Sequence, residues 1–186
     1  MKKKPFSTYK LVFWAMMAAI VCVVTLFRFP LLGSKVHFAN TMCLLSGLLF
    51  GPVGGGIAAG LGSALYDALF DQYELIQCLV TFFSKFMMAF VCAVVAKSAA
   101  DEVPSKWRVL VSCILGAITY VVLYMLKTFI FQKFVYGFPV DAVWVTMLSK
   151  LPASLINAVF AVITAPILYF AIAPTLRRSG LLKKLK

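Results

Sequence analysis

The feature that most limits what this chain can fold into is a series of long, almost uncharged apolar stretches. An α-helix needs about 20 apolar residues to cross the hydrocarbon of a bilayer. Apolar residues make up 63% of the 186 positions and charged residues 13%, whereas a soluble domain has about 45–50% and 25%. A chain of this size cannot bury that much apolar surface in one aqueous core. The sequence therefore predicts an integral membrane protein.

Six apolar segments predict one all-α membrane domain, residues 1–186, with six transmembrane helices. The segments are 11–27, 39–50, 53–70, 75–96, 109–131 and 143–173. The second and third are separated only around Gly51 and Pro52, which predicts a tight antiparallel helical hairpin. The stretch 28–38 has mixed character and contains Pro30, so we expect a loop between the first two helices.

The distribution of basic residues predicts that both termini lie on the cytoplasmic side. If six helices alternate, twelve of the 18 Lys and Arg residues fall on one side, as expected for a cytoplasmic face. These twelve are Lys2, Lys3, Lys4, Lys10, Lys97, Lys106, Arg108, Arg177, Arg178, Lys183, Lys184 and Lys186. Orientation and contact with anionic lipid explain this charge, so no nucleic-acid partner is implied.

The sequence has no pattern typical of an enzyme, a metal site or a cofactor site. No two of the five cysteines have C-x-x-C spacing. The glycines that follow Pro52 are not followed by the lysine of a phosphate-binding loop. We therefore expect no catalysis, no cofactor and no nucleotide hydrolysis by this chain itself.

Three lysines on three different segments are predicted to reach a similar depth in the outer half of the membrane. At 1.5 Å per residue, Lys85 lies about 12 Å from the outer surface, Lys150 about 13–14 Å and Lys127 about 9 Å. A charge inside a bilayer is costly and marks a functional site by default.

Two interpretations of these lysines remain open. In the first, Lys85 or Lys150 pairs with Asp67 as a structural contact, and Lys127 extends to the interface. In the second, the lysines line a solvated cavity, open to the outside, that holds a polar or anionic small molecule. The full set of expected substrate-binding residues is Lys85, Lys150, Asn40, Asn157, His37, Lys127, Tyr124 and Trp144.

Residues 37–67 resemble a known family. The stretches HFANTMCLLSGLLFGP (37–52) and GGGIAAGLGSALYD (54–67) are similar to the substrate-binding components (S components) of energy-coupling factor (ECF) transporters. These are vitamin-uptake systems related to ABC importers. The chain length, the six helices, the short hairpin and the lysine in the fourth helix are similar as well.

The resemblance implies partners and a location. It implies a multi-pass protein of a prokaryotic plasma membrane that works with a transmembrane coupling (T) subunit and two cytoplasmic ATPases. It also implies that a vitamin binds near the outer face, under the loop between the first two helices. The family's Ala-x-x-x-Ala motif on the first helix matches Ala15 and Ala19, which implies that these residues contact the coupling subunit.

The resemblance does not identify the ligand, but the buried lysines favour an anionic vitamin or precursor. The alternative function is a self-sufficient secondary transporter or channel for a small solute. Against it, the sequence shows no internal inverted repeat and no acidic residue deep enough in the membrane to relay protons.

Overall fold

Helices form almost all of the ordered structure in the computed structural model, which describes residues 8–31, 34–96 and 104–182. The helices are α1 (Thr8–Leu26), α2 (Ala39–Leu69), α3 (Leu75–Ala96), α4 (Lys106–Ile130) and α5 (Val140–Arg178). A π-helical turn, Phe131–Val135, continues α4. Within the described residues, five helices are long and apolar enough to cross a membrane.

Helix α2 reverses direction at Gly51, where the predicted hairpin lies. Gly51 has φ 78° and ψ −174°, a conformation that glycine adopts without steric cost. Ser46 Oγ donates to the Gly55 carbonyl at 2.9 Å, and Cys43 Sγ lies 3.9 Å from Ser63 Oγ. In a straight helix, residues 43 and 63 would be about 30 Å apart. The two arms of α2 therefore lie side by side.

The described part of the chain thus has five candidate spanning helices, where the sequence predicted six separate ones. The difference lies in the segments 39–50 and 53–70, which form the two arms of α2. The first arm, at about 18 Å, is shorter than the hydrocarbon thickness of about 30 Å. Helix α2 is buried along most of its length, while the other four helices expose an apolar face.

The stretch expected to be a loop forms a small antiparallel hairpin. Strand β1 (Arg28–Leu31) pairs with β2 (Ser34–His37), with Arg28 opposite His37 and Pro30 opposite Lys35. This β-hairpin is an exception to the predicted all-α class. An isolated two-stranded hairpin is marginal in water, so contacts with the helices must hold it in place.

The predicted orientation depends mostly on residues outside the described part of the chain. Seven of the twelve basic residues behind that prediction fall there, namely Lys2, Lys3, Lys4, Lys97, Lys183, Lys184 and Lys186. The placement of both termini in the cytoplasm therefore stays a prediction.

Candidate functional site

A cavity of about 480 Å³ lies between the β-hairpin, the second arm of α2, and helices α3, α4 and α5. Small-molecule sites are usually clefts of about 300–1,000 Å³. The polar and aromatic lining residues come from all of these elements. Its charged side chains are Arg28, Lys35, Asp67, Asp71, Lys85, Lys127 and Lys150.

The cavity lining is strongly cationic. It contains five Lys or Arg side chains and two Asp side chains, a formal excess of three positive charges. His37 adds no charge at neutral pH. Burial of the ring, followed by the nearby charges of Lys85, Lys35 and Arg28, lowers the pKa of His37 to about 3.

Lys85 is a buried residue of the cavity lining. It is 3% exposed, and its ammonium donates to Asn40 Oδ1 and lies 3.6 Å from the ring centroid of Tyr120. These contacts join α3 to the first arm of α2 and to α4. Asn40 itself is fully buried and is not part of the cavity lining. The structure therefore places Asn40 behind Lys85, where it supports the ammonium.

Lys127 bridges α4 and α3 along the wall of the cavity. Its ammonium donates to Thr81 Oγ1 at 2.9 Å and to the Gln77 carbonyl at 3.4 Å. It also lies 5.9 Å from the ring centroid of Tyr73. Lys127 therefore has interior partners and does not simply extend to the interface.

Lys150 has a different environment from the other two lysines. It is half-buried and lines the cavity from α5. Within residues 8–31, 34–96 and 104–182, neither a hydrogen bond nor an ion pair engages its ammonium. The ion pairs found among the described residues involve Asp71 and not Asp67. Asp67 interacts with Lys85 only through a longer-range charge interaction, so the direct pairing of Asp67 with Lys85 or Lys150 stays a prediction.

Asp71 holds both strands of the β-hairpin. Its Oδ1 lies 2.5 Å from Arg28 Nη1 and its Oδ2 lies 2.7 Å from Lys35 Nζ. Burial alone would raise the pKa of Asp71, but hydrogen bonds from Lys35 and Arg28 outweigh it and lower that pKa below its usual range. The sequence showed these charges separately, and their pairing follows only from the fold.

Asn157 holds the β-hairpin from the opposite side. Its Oδ1 accepts from the His37 backbone N–H at 2.8 Å, and its Nδ2 donates to the Lys35 carbonyl at 2.8 Å. Asn157 lines the cavity as expected. Because both ends of its amide are engaged by the hairpin backbone, its role in the structure is to position β2.

The ring of His37 and the side chain of Ser154 add two buried polar atoms to the cavity. Both residues belong to the lining. His37 Nδ1 and Ser154 Oγ are buried and have no hydrogen-bond partner within the described structure. Sequence reasoning did not find Ser154. Its position one helical turn after Lys150 was the available signal.

Two other expected substrate-binding residues have opposite outcomes. Tyr124 lines the cavity, as the sequence predicted. Trp144 does not line it and is 53% exposed. The adjacent Val143 is fully buried, and successive helical residues differ by about 100° around the axis. Trp144 therefore points outward, as is typical of an aromatic residue in the interfacial belt.

Ala15 and Ala19 lie on the exposed face of α1. Both are exposed, whereas Trp14 and Ala18 are buried. A side chain at Gly54 or Gly62 would meet Trp14 and Ala18, so the buried face of α1 packs against α2. The alanine pair is therefore free to contact another helix.

Comparison with known proteins adds two findings. Residues 5–174 match a family model described as "ECF-type riboflavin transporter, S component". A solved structure described as "Structure and mechanism of the S component of a bacterial ECF transporter" has a TM-score of 0.63 at 23% identity, covering 90% of this chain and 96% of that chain. An identity this low makes that likeness one of fold. Among curated protein sequences, none matches this chain. The family match confirms the resemblance seen in residues 37–67.

Proposed function

This chain belongs to the S component family of ECF-type riboflavin transporters, and on that premise we propose that its cavity captures a negatively charged vitamin or vitamin precursor. The observation that carries this proposal is the excess of cationic over acidic side chains in the cavity lining. Charge interactions are stronger in such a partly dry site than in water. An anionic ligand would offset the excess, whereas a cation would increase it.

The shape and lining of the cavity also suit a ligand of this kind. A volume of about 480 Å³ can hold a vitamin-sized molecule. Tyr66, Tyr120 and Tyr124 contribute aromatic surface beside the charged groups. A ligand with an apolar or planar body and one anionic group would therefore match the lining.

Riboflavin, which the family description names, is the competing ligand for the same cavity. Its ring system and ribityl chain carry no charge at neutral pH, so it would leave the cationic excess uncompensated. Matched pairs of compounds that differ mainly in charge separate the two ligands. Riboflavin 5′-phosphate against riboflavin is one pair, and pantothenate against pantothenol is another.

The test combines identification of the native ligand with titration. Small molecules released by denaturing the purified protein are identified by mass spectrometry, and both pairs are titrated by calorimetry. We expect mass spectrometry to identify an acidic compound. In the titrations, the anionic member of a pair that binds should have at least a tenfold higher affinity than the neutral member, a difference of about 1.4 kcal/mol. Riboflavin released from the protein, or bound more tightly than its phosphate, would refute the anionic substrate. Absence of any released or titratable small molecule would refute substrate capture itself.

We also propose that transport requires partners: a transmembrane coupling subunit that contacts Ala15 and Ala19, and two cytoplasmic ATPases. The support is the family membership together with the exposed position of both alanines. In this proposal both termini are cytoplasmic and the cavity opens to the outside of a prokaryotic plasma membrane. Copurifying ATPases would favour it, and transport by the chain alone in liposomes would favour a self-sufficient transporter instead.

A further inference from the structure

Within this cavity, we propose that Lys150, Ser154 and His37 form the subsite that contacts the negatively charged group of the substrate. The inference rests on the proposed function, and it identifies the contacting residues by polar groups of the cavity that have no partner within the described part of the chain. Buried polar groups in folded proteins are nearly always hydrogen-bonded. Buried polar groups without a partner in a cavity therefore indicate where a ligand completes the hydrogen bonding.

The other two lysines of the cavity already have partners. The Lys85 ammonium donates a hydrogen bond to Asn40 Oδ1 and makes a cation–π contact with the ring of Tyr120. Lys127 donates to Thr81 Oγ1 and to a backbone carbonyl. These contacts use one of the three N–H groups of Lys85 and two of the three of Lys127, and they fix the position of both ammonium groups. Both contribute positive potential to the cavity, whereas Lys150 is the cavity lysine whose ammonium has no partner among the described residues.

Lys150 and Ser154 lie on one face of α5. Residues four apart on a helix are neighbours on its surface, and both line the cavity. Ser154 is 3% exposed, and its hydroxyl has no partner among the described residues. A free ammonium and a free hydroxyl one turn apart provide two donors for one acceptor group.

His37 approaches the same part of α5 from the β-hairpin. Its backbone N–H is bonded to Asn157, which lies three residues after Ser154 and so on the same face of the helix. The Nδ1 atom of its ring is buried without a partner in the described structure. A neutral ring with its proton on Nδ1 would be a third donor.

An ammonium together with a hydroxyl and a ring nitrogen that can both donate fits an oxyanion as the ligand group. A carboxylate or a phosphate has at least two acceptor oxygens, and hydrogen bonds to such charged acceptors are about twice as strong as neutral ones. Asp67 and Asp71 are the acidic residues of the lining, and Asp71 is already bound to Arg28 and Lys35. The arrangement therefore favours a substrate whose negatively charged group binds beside α5.

The first test needs no knowledge of the substrate. Purified protein is treated with a limiting amount of an amine-methylating reagent, with and without inorganic phosphate or acetate, and modified lysines are mapped by mass spectrometry. We expect either anion to slow modification of Lys150, and Ser154→Ala to reduce this protection. Lys133, a half-buried lysine outside the cavity, provides an internal reference. Equal rates at Lys150 with and without both anions, or protection at Lys85 or Lys127 instead, would refute the subsite.

The second test uses the matched pairs. Lys150→Met should weaken the anionic member about 10- to 100-fold, the range for a lost hydrogen bond to a charged group, and leave the neutral member within about threefold. Lys150→Arg should restore the preference. The matched controls are Lys133→Met and Ser149→Ala, which alter a half-buried lysine and an exposed serine outside the cavity. A preference unchanged in Lys150→Met, with the fold verified by its melting temperature, would refute the subsite.

The two tests separate this inference from the proposed function. If phosphate protects Lys150 but no vitamin-like compound binds or is released, the subsite stands and the capture function fails. If a vitamin binds and its affinity is indifferent to Lys150 and Ser154, the capture function stands and the subsite fails.

Discussion

Replacement of Asp71 by Asn removes one negative charge. It should increase the fraction of molecules in which the β-hairpin is detached from the helices. The side chain keeps its size but loses its ion pairs with Arg28 and Lys35. Asp71 is 9% exposed, while the Arg28 and Lys35 side chains are 29% and 40% exposed. Because the two cations are partly exposed to solvent, each contact is assigned about 0.5–1 kcal/mol, the upper part of the range for exposed pairs, and not the larger value of a buried pair. The expected total is about 1–2 kcal/mol.

A loss of this size has two measurable consequences. It corresponds to about a 5- to 30-fold increase in the detached population. Amide hydrogen exchange of β1 and β2 should accelerate by that factor. The dissociation rate of a bound probe, such as riboflavin 5′-phosphate or pantothenate, should increase in parallel if the hairpin limits release.

The matched control is Glu74→Gln, which removes a negative charge from an exposed side chain in the same α2–α3 connection. It should leave both rates within about twofold of wild type, as is usual for surface substitutions. If Asp71→Asn behaves like Glu74→Gln in both assays, the two ion pairs do not hold the hairpin, and the reasoning is wrong.

The pKa of Asp71 gives the same prediction a pH dependence. Because that pKa is below its ordinary value of 3.8 in the folded protein, the carboxylate stabilises the hairpin at any pH above the ordinary value. The stabilisation is lost as the pH falls through the lowered pKa. After correction for the intrinsic pH dependence of amide exchange, we therefore expect hydrogen exchange of the hairpin to show no pH dependence from Asp71 between pH 5 and 8, and to accelerate below about pH 4. Asp71→Asn should lack that acceleration.

Three further predictions concern coupling, topology and packing. Ala15→Trp or Ala19→Trp should abolish uptake and copurification of the coupling subunit, because a bulky side chain prevents close helix contact. Ligand binding measured by calorimetry should stay intact. Normal assembly in both variants would show that the coupling subunit contacts another surface. A cysteine at Ser105 should be protected from an impermeant thiol reagent in intact cells and one at Gly137 should be labelled; the reverse pattern would invert the orientation. Gly55→Leu should lower the melting temperature or prevent folding, because a Cβ there would lie 2.5 Å from the Cα of Gly47; an unchanged melting temperature would contradict the close crossing of the α2 arms.

The sequence was sufficient for those parts of the protein that depend on local composition. Apolar length predicts membrane helices because the hydrocarbon thickness sets a fixed requirement on each segment. The turn at Gly51 was predictable because a proline follows a glycine between two apolar runs, and only glycine takes the required φ readily. The constant rise of a helix predicted similar depths for Lys85, Lys127 and Lys150, and in the structure all three line one cavity.

The tertiary structure decided which side chains meet. Asp71 is more than thirty residues from both Arg28 and Lys35, and Asn157 is 120 residues from His37. No local pattern encodes such pairs, because they depend on how distant elements pack. Rotation about a helix axis was also invisible in the sequence: one step of about 100° separates the buried Val143 from the exposed Trp144. The division between engaged and free lysines has the same origin, since Lys150 differs from Lys85 and Lys127 only in the neighbours that the fold brings to it.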